Sequence, residues 1–393
     1  MWDIRTPPAG DLNQVVVDPV ETLYEFDGPL IFRTTIGMVD LLMSKVTAVR
    51  QVSIFLACQT DDRTVQALRA GRLSVFGAFD KASYWLIALD EAFQVKAYWN
   101  CSKADVPKRF FAKPGLGLFH WQKEAPDSLE QAFALLAIKF KGAELTESGI
   151  PFGKLKRLVD QSFETVRKLL TPPQLANTKS STFDLEVAPL KFASLVVAVR
   201  EPVFNMPAIR RIKALDSYSE EDLENAVQLR GREFAEKLVD VQSRLRRQEF
   251  DDAYTRENFA FLDLLASILP DEDSYVSSVE FNASTATGLT TVVFEKDTAR
   301  SIHQTVQGAD GRRVVETGIV SGVTVKSSSI RIQSIRGKDV TCIFDKDMFD
   351  ELTGGQNVLH RRISLTGVLT RRPRRDLLEV ENYRLPNDQG IFA

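Results

Sequence analysis

The chain has 393 residues, of which 44% are hydrophobic and 26% are charged, close to the average for soluble globular proteins. Its 50 basic and 53 acidic side chains give a formal charge of −3, which excludes a global electrostatic attraction to nucleic acid or to an anionic membrane. A chain of this length predicts two or three domains, and any binding of a polyanion must be local.

The cysteines and the first residues indicate the compartment. Cys58, Cys101 and Cys342 stand singly, which supports neither a disulfide framework nor a zinc site. Residues 1–10 lack a basic segment followed by an apolar core, and no later segment has about eighteen uninterrupted apolar residues. We therefore expect a cytoplasmic protein that does not engage a membrane.

An α+β domain with a linker is predicted over residues 1–125. A turn at 27–29 separates the first two strand-like runs, and a short helix is predicted between Thr60 and Gly71. The linker begins at Asn100 and interleaves lysine and arginine with aromatic residues. Such interleaving occurs on surfaces that bind single-stranded nucleic acid, but it is more common in a segment whose aromatic side chains pack against the domain. The strand-like runs are 23–26, 30–34, 52–58, 73–79, 84–89 and 93–99.

A helix-rich domain with some strands is predicted over residues 126–308. One helical stretch runs from Asp127 to Phe140, and a second apolar stripe runs from Leu155 to Leu170. A turn at 200–202 is expected to end the second strand. The predicted strands are 183–187, 194–199, 275–281 and 290–294, and a short helix is expected at 297–304.

The longest helix of the chain is predicted to begin at Ser219, where Asp222 completes an approximate capping box. Its apolar residues recur every three or four positions, so it should run about seven turns. Such a helix needs a partner, either the helix predicted from Arg256 to Leu269 or the same helix of a second subunit. The intrachain helical hairpin is the favoured alternative.

A small closed β-barrel of the OB type is predicted over residues 309–393. Five strand-like runs occur there, with one helix-like stretch after the third, which is the order of an OB barrel. The whole chain is therefore expected to be an α+β protein in three parts. The runs are 314–325, 328–335, 340–344, 363–371 and 377–385, and the helix is 347–354.

The loop that joins the fourth and fifth barrel strands carries the candidate site. In OB barrels this loop helps to grip oligonucleotides, and guanidinium groups match the geometry of phosphate. Residues 309–393 hold fourteen Lys and Arg against eleven Asp and Glu, and much of that excess lies in and near the loop. The candidate nucleic-acid-binding residues are Arg361, Arg362, Arg371, Arg372, Arg374 and Arg375.

A second interpretation of this loop is a charged tip that prevents strand pairing between molecules and keeps the barrel soluble. Proteins that bind single strands stack bases on aromatic side chains, and this barrel offers little beyond Phe344, Phe349 and Tyr383. Phe344 and Phe349 are expected to be buried. The second interpretation is the favoured one.

The sequence contains no recognisable catalytic motif, phosphate loop or dinucleotide-binding fingerprint. Its three histidines are spread along the chain, so no catalytic residue, metal or cofactor is predicted. One weak alternative is a metal-dependent nuclease, in which Asp184 and Glu186 on one strand and the nearby Lys191 would hold a divalent cation. The same alternation is expected of a strand that faces solvent.

The N-terminal stretch Tyr24–Phe32, with its Asp-Gly-Pro-Leu turn, and the later stretches 68–72 and 78–79 are similar to an uncharacterised bacterial domain family. Its members open with an aromatic residue before this turn between two strands and continue with a short helix that ends in glycine. The resemblance covers at most the first quarter of the chain. It implies a bacterial, cytoplasmic protein that acts beside neighbouring gene products, and it implies no catalytic residue.

These observations together favour a non-enzymatic binding or adaptor subunit of a bacterial multi-protein system. It would present its barrel and its long helix to a protein partner or to a second copy of itself. The alternatives are a nucleic-acid-binding protein that uses the basic barrel loop and a metal-dependent nuclease.

Overall fold

The computed structural model forms two compact units, Met1–Phe133 and Ala134–Ala393. Helices and strands are present in both, which confirms the predicted α+β class. The division into three parts stays a prediction. The residues described are 2–3, 5–10, 12, 15–49, 52–119, 124–145, 149–175, 182–189, 195–212, 215–247, 249–285, 288–354, 358–359, 361–372 and 374–385.

The first unit is built on a six-stranded antiparallel sheet whose strands follow one another in chain order. The helix expected between Thr60 and Gly71 is present, and the Asp61 carboxylate caps it by accepting a hydrogen bond from Thr64 N at 2.7 Å. The strands are β1 (Glu21–Glu25), β2 (Pro29–Ile36), β3 (Val39–Val49), β4 (Val52–Gln59), β5 (Ser83–Leu89) and β6 (Val95–Ser102), and the helices are α1 (Asp62–Arg69), α2 (Val75–Ala78) and α3 (Leu129–Ala132).

One prediction for this unit was wrong, and one strand was missed. The run 73–79 contains α2 in place of a strand, because the Ser74 hydroxyl caps a helical turn by accepting from Gly77 N at 2.9 Å. Strand β3 was not predicted. Its Leu41, Leu42 and Met43 are all buried, since apolar clusters cover both faces of the sheet, and such a continuous apolar run lacks the alternation of a half-exposed strand.

The second unit contains a five-stranded antiparallel sheet in the order β11-β10-β7-β9-β8. On the edge strand β11, the backbone carbonyl of Val293 accepts a hydrogen bond from the Gln242 side-chain amide at 3.1 Å. The strands are β7 (Leu136–Lys141), β8 (Phe183–Val187), β9 (Leu195–Phe204), β10 (Ser278–Thr285) and β11 (Gly288–Glu295), and the helices are α4 (Phe152–Leu170), α5 (Met206–Ile209), α6 (Glu220–Arg247), α7 (Asp252–Ala266) and α8 (Lys296–Gln307).

The long helix α6 finds its partners within the chain, as favoured from the sequence. It packs on the sheet and on α4, and it contacts α7 through the Phe234 and Phe261 rings, whose centroids are 5.8 Å apart. The Tyr254 hydroxyl on α7 also donates to Asp240 Oδ2 on α6 at 2.8 Å. One face of α6 is therefore committed to the core of this unit.

Two further predictions for the middle of the chain were wrong. The helix expected from Asp127 to Phe140 is only the four-residue α3, capped by Ser128, after which the chain enters the central strand β7. Leu136, Ile138 and Phe140 alternate toward the core there, whereas the helix was expected because Leu129, Phe133, Leu136 and Phe140 recur every three or four residues. Strand β9 continues through the turn expected at 200–202 and pairs with β8 along that stretch.

The chain ends its described part in a closed five-stranded barrel, as predicted. The strand order is β12-β13-β14-β16-β15, and β14 and β16 run parallel while the other pairs are antiparallel, which is the topology of an OB barrel. The elements are β12 (Arg313–Thr324), β13 (Ser329–Ser334), β14 (Asp339–Ile343), α9 (Lys346–Gly354), β15 (Arg362–Thr370) and β16 (Asp376–Arg384).

The barrel shares one apolar core cluster with the helices and the sheet of the second unit. Helix α7 packs directly against β12. In the described residues, none of the helices is both long enough and apolar enough to cross a membrane.

Candidate functional site: the arginine-bearing face of the barrel

The barrel strands alternate between an interior and an outer face. On β13 and β14 the residues Ile330, Ile332, Val340 and Cys342 are completely buried, and the positions between them point outward. The apolar and polar residues of these strands therefore divide the barrel into a packed interior and an outer surface that is available for contact.

One buried guanidinium joins the barrel to α7. Arg336 lies in the turn between β13 and β14, and its side chain has no exposed surface. Its Nε is 2.9 Å from Glu316 Oε2 on β12, its Nη2 is 2.8 Å from Asp376 Oδ2 at the start of β16, and its Nη1 is 3.0 Å from Asp263 Oδ2 on α7. A single side chain therefore holds two barrel strands and a helix together.

The charges around Arg336 do not balance. Three carboxylates meet two guanidiniums, those of Arg336 and Arg371, and we call these five residues the Arg336 cluster. Burial raises the pKa of Glu316, while the charge of Arg336 and the hydroxyl of Ser334 act in the opposite direction. Burial alone would lower the pKa of Arg336, but Glu316 and Asp263 raise it above its ordinary value.

Arg371, the first arginine of the predicted tip, belongs to this buried cluster. Its Nη2 is 2.9 Å from Asp263 Oδ1, its Nη1 donates to Val306 O at 2.9 Å, and its backbone N–H donates to Asp310 Oδ1 at 2.8 Å. Most of its side chain is covered, with 25% exposed. Arg371 therefore anchors the base of the loop to α7.

The other arginines of the loop are presented to solvent. Arg372 and Arg374 are exposed, and the Arg372 backbone N–H donates to Asp376 Oδ1 at 3.0 Å. This hydrogen bond and the charge of Arg336 lower the pKa of Asp376, although burial opposes them. Arg375 Nη2 lies 3.7 Å from Asp339 Oδ2, and both side chains are more than 40% exposed.

Arg361 and Arg362 are not brought together with the loop. They precede and begin β15, whereas the loop follows the other end of that strand. A strand of this length spans about 25 Å, so the six predicted arginines do not form one continuous patch. Their role in binding stays a prediction.

Arg331, which the sequence pattern did not single out, lies on the outer face of β13. It is exposed, and no ion pair joins it to another residue that the structure describes. Arg331 pairs with Thr341 on β14, and Thr341 in turn pairs with Leu377 on β16. Arg375 comes directly before β16, and its ion pair with Asp339, whose side chain is partly exposed on β14, places its guanidinium beside the outer face of that strand.

The strand register thus places Arg331 on the outer surface of β13 and β14. These are the second and third strands of the barrel, and OB barrels bind ligands on the corresponding surface. The only sequence signal for it is the alternation Ile330, Arg331, Ile332, which becomes informative once the strand register is known. We call the outer surface formed by Arg331, Gln333, Thr341, Arg375 and Leu377 the arginine face.

The aromatic residues of the described barrel lie away from this face. Phe344 and Phe349 are buried, as predicted, with ring centroids 6.3 Å apart. Tyr383 lines a separate cleft of about 600 Å³ between α9 and β16, together with acidic side chains. The described part of the arginine face therefore offers guanidinium and hydroxyl groups, with the Asp339 carboxylate beside Arg375, but no ring on which a base could stack.

The residues of the nuclease hypothesis lie on an edge strand. Asp184 and Glu186 share the exposed face of β8, and Glu186 Oε1 is 3.7 Å from Arg200 Nη1. Lys191 lies outside the described residues. In the part of the chain that the structure describes, no group of three or more His, Cys, Asp or Glu side chains is arranged to hold a metal ion.

The three cysteines are free and buried. Burial raises the pKa of the Cys58 thiol to about 12 and also raises the pKa values of Cys101 and Cys342. Thiols in this state are poor nucleophiles at neutral pH. The cysteines are part of the packing of the two units.

No protein-family model, curated protein sequence or solved structure matches the chain. The similarity of its first quarter to a bacterial domain family therefore stays a resemblance. The class of protein is defined by the fold alone, an α+β chain whose second unit ends in an OB-type barrel.

Proposed function

We propose that the chain is a non-enzymatic binding subunit that holds a protein partner on the arginine face of its barrel. The observation that carries this proposal is the register of β13, β14 and β16, which aligns Arg331, Thr341 and Leu377 in one outward row. Arginine is enriched in protein interfaces relative to the rest of the protein surface.

The Arg336 cluster supports the proposal because it fixes the surface on which the partner would bind. Arg336 and Arg371 tie the turn after β13 and the loop before β16 to α7. A binding surface that is rigid before association loses less conformational entropy when a partner docks. The inner face of the long helix α6 is committed to the core of the second unit, and its exposed face stays a second candidate surface for the partner.

The proposal includes a bacterial cytoplasm as the setting, in keeping with the free cysteines and the resemblance of the first quarter. Self-association through the same face is one form of the proposal. In that form the partner is a second copy of the chain.

The test is site-specific photocrosslinking in cells of the native host. A photoreactive phenylalanine analogue replaces Thr341 on the arginine face, and a matched variant carries it at Thr366, which lies on β15 and pairs with Asn382 and Val315. We expect the Thr341 variant to give one defined protein adduct that the Thr366 variant lacks. Identical adducts from both positions, or none from Thr341, would contradict the proposal.

Nucleic-acid binding is a second candidate, favoured by the exposure of Arg331, Arg372 and Arg374. It predicts an adduct at Thr341 that nuclease digestion removes. It also predicts mobility shifts of an oligonucleotide that weaken steeply with salt and on neutralising the loop arginines. The nuclease hypothesis stays a prediction, and it requires metal-dependent cleavage that is lost in the Asp184→Ala variant.

A further inference from the structure

We infer that the partner segment bound by the arginine face is acidic, a carboxylate-rich stretch of protein chain in an extended conformation. This inference rests on the proposed function and names the chemistry of the partner. Three features of the barrel support it: the spacing of the exposed guanidiniums, the charge around them, and the position of the aromatic rings.

The spacing of two arginines sets the geometry. Arg331 and Arg375 are separated by two strand spacings across the sheet and by about two residues along it. With about 4.8 Å between strands and about 3.3 Å per residue, their Cα atoms lie about 12 Å apart. Carboxylate side chains four residues apart on an extended segment have nearly the same separation, about 13 Å.

The charge of the surface is complementary to such a segment. Arg331, Arg372 and Arg374 are exposed, and none of them forms an ion pair with another described residue. Among the residues that the structure describes, Arg375 forms one ion pair, with Asp339 at 3.7 Å, and both side chains of this pair are more than 40% exposed. A carboxylate of the partner can approach Arg375 without first breaking a buried ion pair, and guanidinium binds carboxylate with two parallel hydrogen bonds.

The surroundings favour carboxylate over nucleic acid. Arg371, which would be the innermost phosphate ligand of the loop, is used by Asp263 and Val306. The rings of Phe344 and Phe349 are buried, so they cannot stack with bases. A single strand would gain phosphate contacts without the base stacking that supplies much of the affinity of single-strand-binding proteins.

The experiment measures binding of labelled probes to the full chain by fluorescence anisotropy. The acidic probe is an extended peptide with Glu at every fourth position, and the neutral probe carries Gln at the same positions. A short oligothymidylate is the third probe. The variants are Arg331→Glu and Arg375→Glu, and the control is Arg246→Glu, which makes the same charge change on the exposed end of α6.

The inference expects the acidic peptide to bind and the neutral peptide not to bind. Each face variant should weaken binding about fivefold or more, and Arg246→Glu should leave it unchanged, because exposed charge pairs contribute about 1 kcal/mol each. Tighter binding of the oligothymidylate than of the acidic peptide would overturn the inference in favour of nucleic acid.

A second outcome separates the inference from the proposed function. If the acidic peptide fails to bind while the Thr341 crosslink still captures one defined protein, the carboxylate chemistry is wrong and the binding face stands. If the peptide binds equally to the wild type and to both face variants, its carboxylates bind elsewhere on the chain and the inference is also overturned. Loss of the Thr341 crosslink refutes the proposed function itself.

Discussion

Replacing Arg336 by methionine should destabilise the barrel more than any surface charge change in the chain. The methionine fills much of the side-chain volume but leaves Glu316 and Asp376, both almost completely buried, without their common guanidinium. Removing one partner of a buried ion pair typically costs about 3–5 kcal/mol, because an unpaired charge remains in a low-dielectric environment. We expect a loss of about that size in the free energy of opening the barrel.

The measurement has to report on the second unit. All four tryptophans lie within residues 1–133, so tryptophan fluorescence follows the first unit. Hydrogen exchange of the β13 and β14 amides, resolved by mass spectrometry, follows the barrel directly. Arg313→Met is the matched control, since its ion pair with Glu381 is 2.5 Å long but 54% and 43% exposed, and it should cost at most about 1 kcal/mol.

A compensated variant sharpens this test. Arg336→Met combined with Glu316→Leu removes both a cation and the most buried carboxylate, so it should recover part of the loss. Equal exchange rates in the wild type and in Arg336→Met would refute the reasoning, since they would mean that the cluster contributes nothing to barrel stability. A double variant worse than the single one would argue that packing, and not charge, dominates this site.

Two further predictions concern other parts of the chain. Gly367→Ala should destabilise the barrel by at least about 2 kcal/mol in the same exchange experiment, because an added Cβ would lie 2.0 Å from Glu379 O. In the control Gly354→Ala the added Cβ meets nothing within 4 Å, so this variant should be neutral or slightly stabilising. The first unit should lose stability as pH rises from about 9 to about 12, because the pKa of Cys58 in the fold is about 12 against an ordinary value near 9, and a raised pKa stabilises only while the group stays protonated. Urea unfolding followed by tryptophan fluorescence at pH 8 and pH 10.5 measures this loss, and a Cys58→Ala variant that retained the full pH dependence would contradict it.

The barrel could be predicted from the sequence because most of its strands are half-buried and therefore alternate between apolar and polar residues. The observed strands begin and end within one or two residues of the predicted ones, for example Asp376–Arg384 against 377–385. Strand β3 and the run 73–79 could not be predicted in this way. Burial on both faces removes the alternation from β3. In the run 73–79, the hydrogen bond from Gly77 N to the Ser74 side chain favours a helical turn over a strand.

The candidate site was predictable only in part. Four clustered arginines pointed to the loop, but the sequence could not show that Arg371 is used internally, because its partner Asp263 lies 108 positions away. Arg331 was missed for the opposite reason. A single arginine between two isoleucines carries no signal until the register shows what stands beside it.

The position of β16 in the barrel has a consequence for how the molecule is made. It comes last among the barrel strands in chain order, yet it lies between β14 and β15 and supplies Asp376 to the Arg336 cluster. Until it docks, β14 and β15 each expose an unpaired edge, and Arg336 lacks one of its three carboxylates. A chain interrupted before residue 376 would therefore be prone to pair through these edges with other copies, and folding of the barrel should depend on rapid synthesis of β16.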